Sequence, residues 1–214
     1  FQDTNFISNS DIHSIGIPRI DSYKKYNKNL TKNMVTIFNF SLPSYKLQKT
    51  SIETLEVVNK ISKIYPKYKF LIKTKTNKET KELKSMGIID NFSNIEISDK
   101  TKMKTIIQKS KIIIGTNTTA VIETLFLDAF FIYPSWNIDE GGSENLIVDD
   151  TLDRNQLIIC NSKLDFEERL TTQLEAEVTI SNDEFQLRSD IVSQNIEDFS
   201  FNSSEKLVDI LLFE

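Results

Sequence analysis

The sequence predicts an α/β fold: a doubly wound parallel sheet of about six strands flanked by helices. Three observations predict it. Short β-branched runs recur from residue 34 onward, each followed by apolar positions at helical spacing. Ile112-Ile113-Ile114 is apolar at consecutive positions, the pattern of a strand buried on both faces. A polar turn, Gly115-Thr116-Asn117-Thr118-Thr119, then opens an apolar helix with Ala120, Val121, Ile122, Leu125, Phe126 and Leu127.

Residues 1–33 are the least regular. Asp11–Ile17 reads as a short strand ending at Gly16-Ile17-Pro18-Arg19-Ile20-Asp21, and Tyr23–Asn33 is polar, basic and weakly periodic. This part reads as a linker or the remnant of a preceding domain, and 34–214 as the sheet domain. Met34–Asn39 is the first strand. Phe40–Lys49, with Pro43, is a loop. Ser51 caps a helix running to about Tyr65, with Leu55, Val58, Ile61 and Ile64 on one face and Pro66 as its stop. Tyr68–Thr74 is the second strand, and Lys78–Met86 a charged helix closed by Gly87. Asn94–Ser98, the strand at Ile112–Ile114, Phe130–Tyr133 and Gln156–Cys160 follow, with a short helix over Lys102–Lys109. Helices over Leu164–Glu175, Asp183–Phe199 and Ser204–Leu212 end the chain.

Composition excludes several classes. The single cysteine, Cys160, cannot form an internal disulfide, and no Cys/His cluster has metal-ligand spacing. No cofactor or metal is expected. A net charge of −5 argues against a general nucleic-acid binder. No apolar run approaches the ~18 residues of a membrane span. The first ten residues are polar, unlike a signal peptide, so a cytoplasmic location is expected. The chain begins at Phe1, which is expected of a piece of a longer protein.

Ligands of doubly wound sheets bind at the carboxyl ends of the strands. The candidate groups are read against that edge. Gly115 allows a tight turn, and the hydroxyls of Thr116, Thr118 and Thr119 with Asn117 suit phosphate oxygens near unpaired helix N–H groups. An ordinary N-cap, worth about 1 kcal/mol, needs only one such residue. The run is neither a Walker A loop nor Gly-x-Gly-x-x-Gly. Glu123 interrupts the apolar helix four residues after Thr119; it suits two ribose hydroxyls, or an ion pair. Lys73 and Lys75 alternate at the end of the second strand and suit a phosphate, or a solvated strand end. Arg19 and Asp21 flank a Pro-fixed turn and suit either the site or a structural pair. His13, the lone histidine, reads as structural. Ser135–Glu144 reads as a loop beside the site: Trp136 suits stacking on a base or sugar, or the core, and Asp139 and Glu140 could reach the cleft. Cys160 reads as a buried strand residue.

Gly16-Ile17-Pro18-Arg19-Ile20-Asp21, Ile72-Lys73-Thr74-Lys75 and Ser110–Thr119 leading to Glu123, taken in order, resemble bacterial surface-carbohydrate (capsule or lipopolysaccharide) biosynthesis glycosyltransferases of the two-domain GT-B type. Related patterns occur in glycerol-phosphate polymerising transferases and UDP-N-acetylglucosamine 2-epimerases. The resemblance covers most of residues 11–140. It implies the C-terminal, Rossmann-like half of a GT-B fold, holding a nucleotide-sugar donor: Thr116–Thr119 on the phosphates, Glu123 on the ribose, and Arg19 and Asp21 near a domain junction. It further implies transfer of a sugar or glycerol phosphate to a polysaccharide acceptor, a missing N-terminal domain, no metal, no nucleic acid, and room for peripheral association with the inner membrane face. The half alone is expected to be inactive. Two departures stand out. Thr74-Lys75-Thr76-Asn77 replaces the His-Pro of many relatives, and Asp128-Ala129-Phe130 replaces Gly-Lys-Pro. The first fits a second reading, a Rossmann-like binding or assembly module without catalysis. A third, sugar-nucleotide epimerisation, requires more acidic and histidine groups than this half carries.

Overall fold

The computed structural model describes residues 32–38, 45–90, 94–115, 125, 127, 129–136, 157–178, 181–195 and 203–213. Six strands form one sheet: β1 (Met34–Phe38), β2 (Lys69–Lys73), β3 (Ile95–Ser98), β4 (Ser110–Ile114), β5 (Phe130–Pro134) and β6 (Leu157–Cys160). Their order is β3-β2-β1-β4-β5-β6, and every pairing is parallel. This is the expected fold class. β1 is central: Val35 lies opposite Phe70 on one side and Ile112 on the other. All five residues of β1, β4 and β5 are buried, which explains why they read as unbroken apolar runs.

The order of the connections fixes the layers. The chain steps from β1 to β2 to β3 in one direction, with α1 (Tyr45–Ile64) and α2 (Asn77–Ser85) between. It then passes back through α3 (Met103–Lys109) to β4, on the other side of β1, and steps the opposite way. The reversal falls between β1 and β4. After β6, α4 (Lys163–Glu175) returns to lie beside α1, followed by α5 (Asn182–Asn195) and α6 (Ser203–Phe213).

The main core lies between one face of the sheet and α1, α2 and α4. Val35, Ile37, Phe70, Ile72, Ile112, Ile114, Phe130 and Ile132 meet Leu55, Val58, Ile61, Leu83, Phe166, Leu170 and Leu174. Alternation sends Met34, Thr36, Phe38, Leu71, Ile113 and Phe131 to the opposite face, which α3 covers with Ile106 and Ile107. The polar pair on that face is self-satisfied: Thr36 and Ser110 hydroxyls share a 2.8 Å hydrogen bond across β1 and β4. Cys160 is fully buried, as expected of a strand residue.

The helix ends follow local chemistry. Thr76 caps α2 by accepting from Glu79 N–H at 3.2 Å, and Glu79 accepts the Lys75 N–H at 2.7 Å. Gly87, at φ 65°, follows α2 in the left-handed conformation that favours glycine. Ser162 caps α4 by accepting from Asp165 N–H at 3.1 Å.

Two boundaries differ from expectation. α1 begins at Tyr45, so Ser51 lies inside the helix rather than capping it. Thr50 and Thr54 look like start signals, yet Thr54 bonds back to the Thr50 carbonyl at 2.8 Å and Thr50 donates to the Trp136 carbonyl. Their hydroxyls are satisfied without ending the helix. β2 ends at Lys73, so strand alternation does not reach Lys75, whose N–H belongs to the α2 cap. The predicted strand at Asp11–Ile17 and the 1–33 linker segment fall almost wholly outside the described residues.

Candidate functional site

All six strands are parallel, so their carboxyl ends share one edge. The reversal between β1 and β4 opens that edge, because connections leave in opposite directions there. β4 delivers Gly115 to this point. Gly115 is buried, and its N–H donates to the Ile132 carbonyl at 3.2 Å. That N–H extends the β4–β5 ladder and is not offered to a ligand.

Thr116, Asn117, Thr118, Thr119 and Glu123 lie outside the described residues, as do Arg19, Asp21, Asp139, Glu140 and His13. What the structure does define is how the segment carrying the first five is anchored. Its entrance is fixed by Gly115 on β5. Its exit is fixed by Arg188 of α5, which is fully buried. The Arg188 guanidinium donates to the carbonyls of Leu125 at 3.4 Å, Leu127 at 2.9 Å and Ala129 at 3.0 Å. Its Nε faces Glu184 Oε1 at 3.3 Å, giving the buried cation a carboxylate partner. Sequence reasoning missed Arg188. The available signal was the Glu184–Arg188 spacing of four, which ordinarily marks a solvated helix pair.

Lys73 shares the carboxyl edge with Gly115, separated by β1, or about 10 Å at the usual strand spacing. It is half-buried, and its Nζ donates to the Thr74 carbonyl at 2.7 Å and the Asp99 carbonyl at 2.6 Å. Burial lowers its pKa, against the raising effect of Asp99 and Glu79. Lys73 thus ties the loop after β2 to the loop after β3. Two of its three protons serve that tie. Lys75 is exposed in the β2–α2 loop.

Trp136 takes the core alternative of the two that its sequence position allowed. Its ring is 8% exposed and lies 5.7 Å from the Phe166 ring in a tilted arrangement. The indole N–H donates to Glu53 of α1 at 2.6 Å. Ser135 donates to the Cys160 carbonyl at 2.9 Å and Asn161 Oδ1 at 2.8 Å, joining the ends of β5 and β6. Among the described residues, no three His, Cys, Asp or Glu side chains converge as metal ligands, and no helix is long and apolar enough to cross a membrane.

No family model and no curated protein matches the sequence. Solved structures do match the fold. A Methanocaldococcus jannaschii UDP-GlcNAc 2-epimerase, in complex with UDP-GlcNAc and UDP, superposes with a TM-score of 0.57 at 14% identity, over 97% of this chain and 56% of that one. The wall teichoic acid polymerase TagF superposes at 0.61 and 12% identity, over 99% of this chain and 54% of that one. A Neisseria meningitidis UDP-GlcNAc 2-epimerase bound to UDP-GlcNAc gives 0.53 at 12% identity, over 90% and 57%. The chain spans little more than half the length of these structures. At such identities the likeness is one of fold: a six-stranded, Rossmann-like α/β half of the GT-B architecture.

Proposed function

We propose that this chain is the donor-binding half of a glycosyltransferase that moves a sugar or glycerol phosphate from a nucleotide donor to a surface polysaccharide acceptor in the cytoplasm. The observation that carries the reading is the placement of Gly115. It stands at the carboxyl edge where the strand order reverses, and the Thr116–Thr119 run follows it in the sequence. In this reading the N–H groups and hydroxyls of 116–119 hold the donor phosphates and stabilise the charge of the leaving nucleotide. Glu123 accepts the ribose hydroxyls. Lys73 sets the adjoining loops, and its remaining proton with Lys75 adds positive potential. Arg19, Asp21, Asp139 and Glu140 are candidates for lining the cleft. The structures above that hold UDP or UDP-GlcNAc support a nucleotide ligand for this fold without specifying the base. Acceptor activation belongs to a second domain.

A non-catalytic nucleotide-binding module is favoured by one specific observation: Thr74-Lys75-Thr76-Asn77 stands where the resemblance implies a His-Pro pair. Transfer activity of a full two-domain protein separates the two readings. The reading shared by both is tested by a thermal-shift screen of the chain against UDP, CDP, CMP, GDP and TDP sugars. A nucleotide present at about 100 times its Kd contributes about 2.7 kcal/mol to the folded state, a readily measured rise in Tm. No rise with any of them at millimolar concentration rejects nucleotide binding.

A further inference from the structure

The carboxyl edge carries a second feature that extends beyond the donor cradle. The β2–α2 connection reads Lys73-Thr74-Lys75-Thr76-Asn77-Lys78-Glu79, and the β3–α3 connection reads Ser98-Asp99-Lys100-Thr101-Lys102-Met103-Lys104-Thr105. These two stretches hold six lysines against two acids, in a chain whose net charge is −5. They are neighbours, because β2 and β3 pair with Lys73 opposite Ser98. They are also bound together, because Lys73 holds carbonyls of both. Lys75, Lys78, Lys100, Lys102 and Lys104 are exposed, and Lys78 faces Glu82 of α2 at 3.8 Å. Lys78 and Lys104 stand in the first turns of α2 and α3, where the helix dipole favours acids over cations. The fold thus concentrates positive charge on one rim, next to β1 and the strand-order reversal.

We propose that this lysine rim is the docking surface for an anionic glycan: a polymer with phosphodiester or carboxylate groups along its backbone, passing beside the donor site. Its role as acceptor rests on the glycosyltransferase reading above; its binding does not. The composition of the rim selects this occupant. A single diphosphate is too small to engage exposed lysines spread over two loops. The rim has no arginine fork for bidentate recognition, so it suits repeated point contacts along a flexible anion. It has no aromatic side chain on which bases could stack, unlike surfaces that bind single-stranded nucleic acid. Its one large apolar residue, Met103, is half-buried, so the rim offers no wedge for a bilayer.

The test compares two charge-matched triple variants of the full chain. One is Lys100→Gln/Lys102→Gln/Lys104→Gln on the rim. The other is Lys60→Gln/Lys63→Gln/Lys163→Gln on the α1–α4 side, where the lysines pair with Glu167, Asp90 and Glu56. Circular dichroism first establishes that both are folded. Binding of fluorescent poly(glycerol phosphate) of about ten units is read by anisotropy between 50 and 200 mM salt. The rim variant should bind at least about tenfold more weakly at low salt, with a log–log salt slope shallower by about two, as loss of three phosphate contacts implies. The α1–α4 variant should bind like the unmodified chain, and a neutral dextran should not bind. Equal losses in the two variants, or no binding by the unmodified chain, overturn the rim. Tighter binding to single-stranded RNA or phosphatidylglycerol vesicles overturns the choice of glycan. Should the rim bind polymer while no nucleotide raises Tm, the donor reading falls and the docking surface stands.

Discussion

The two edges of the sheet treat positive charge in opposite ways. At the amino edge two cations are buried and spent on carbonyls, while Lys69 at the start of β2 stays exposed and pairs with Glu96 at 2.6 Å. Lys111, 9% exposed near the start of β4, donates to the Leu174 carbonyl at 2.7 Å and the Tyr68 hydroxyl at 3.0 Å, and lies 5.2 Å from the Tyr68 ring centroid. Tyr68 donates its own hydroxyl proton to the same Leu174 carbonyl. Leu174 belongs to the last turn of α4, so the ammonium also opposes the negative end of that helix. Arg188 does the same for the backbone leading into β5. Among the described residues of the carboxyl edge, Lys75, Lys78, Lys100, Lys102 and Lys104 are exposed, Lys78 faces Glu82 at 3.8 Å, and Lys73 is drawn inward. Buried cations that satisfy carbonyls stabilise the fold. Exposed cations beside a strand-order reversal add little stability and raise the local positive potential.

This contrast can be broken most severely at Arg188. Arg188→Met leaves Glu184 as a buried, unpaired carboxylate and strips donors from three carbonyls, so a loss of about 3–5 kcal/mol is expected in urea unfolding. A loss under about 1 kcal/mol would mean that the segment before β5 is held by other contacts. Lys111→Met should cost less, about 1–3 kcal/mol, because Tyr68 still donates to Leu174. Nucleotide affinity should be unchanged in that variant, since the amino edge lies at the far end of the sheet. A large affinity loss at unchanged stability would contradict the division of labour between the edges. The smallest effect is expected at Asp90, an exposed carboxylate whose pKa is lowered chiefly by its hydrogen bonds to Lys63 and Asn59. Its folded pKa lies below the unfolded value, so its contribution is present above the ordinary Asp pKa and is lost as pH falls through the folded one. The Tm gap between the unmodified chain and Asp90→Asn should therefore close as pH falls below the ordinary Asp pKa of about 3.9. A gap that stays constant with pH would show that Asp90 does not act through its charge.

Much of the architecture is legible because backbone pairing imposes it. Strands buried on both faces must be apolar at every position, and β1, β4 and β5 are. The α2 boundaries are legible from Thr76, Glu79 and Gly87, since each satisfies a helix end locally. Long-range partners leave no such trace. Glu184 and Arg188 have the spacing of a surface pair, and only the carbonyls of Leu125, Leu127 and Ala129 make burial tolerable. Lys111 looks like a strand-end lysine until α4 brings Leu174 over it. Trp136 has the same composition around it whether it stacks on a ligand or packs in the core; Glu53 and Phe166 decide for the core. For the site, the sequence located Gly115 and Lys73 on the right edge, but not that both already serve internal hydrogen bonds.

The central claim is that the carboxyl edge after β4 holds a nucleotide phosphate through residues 116–119. Titration calorimetry with UDP, comparing the unmodified chain with Thr116→Ala/Thr119→Ala, tests it most directly. The account predicts that the double variant binds at least about tenfold more weakly, since hydrogen bonds to charged groups each contribute about 1.5–3 kcal/mol. Its Tm without ligand should stay close to that of the unmodified chain, because Asn117 remains to cap the helix expected there. Equal UDP affinity in the two proteins would contradict the account.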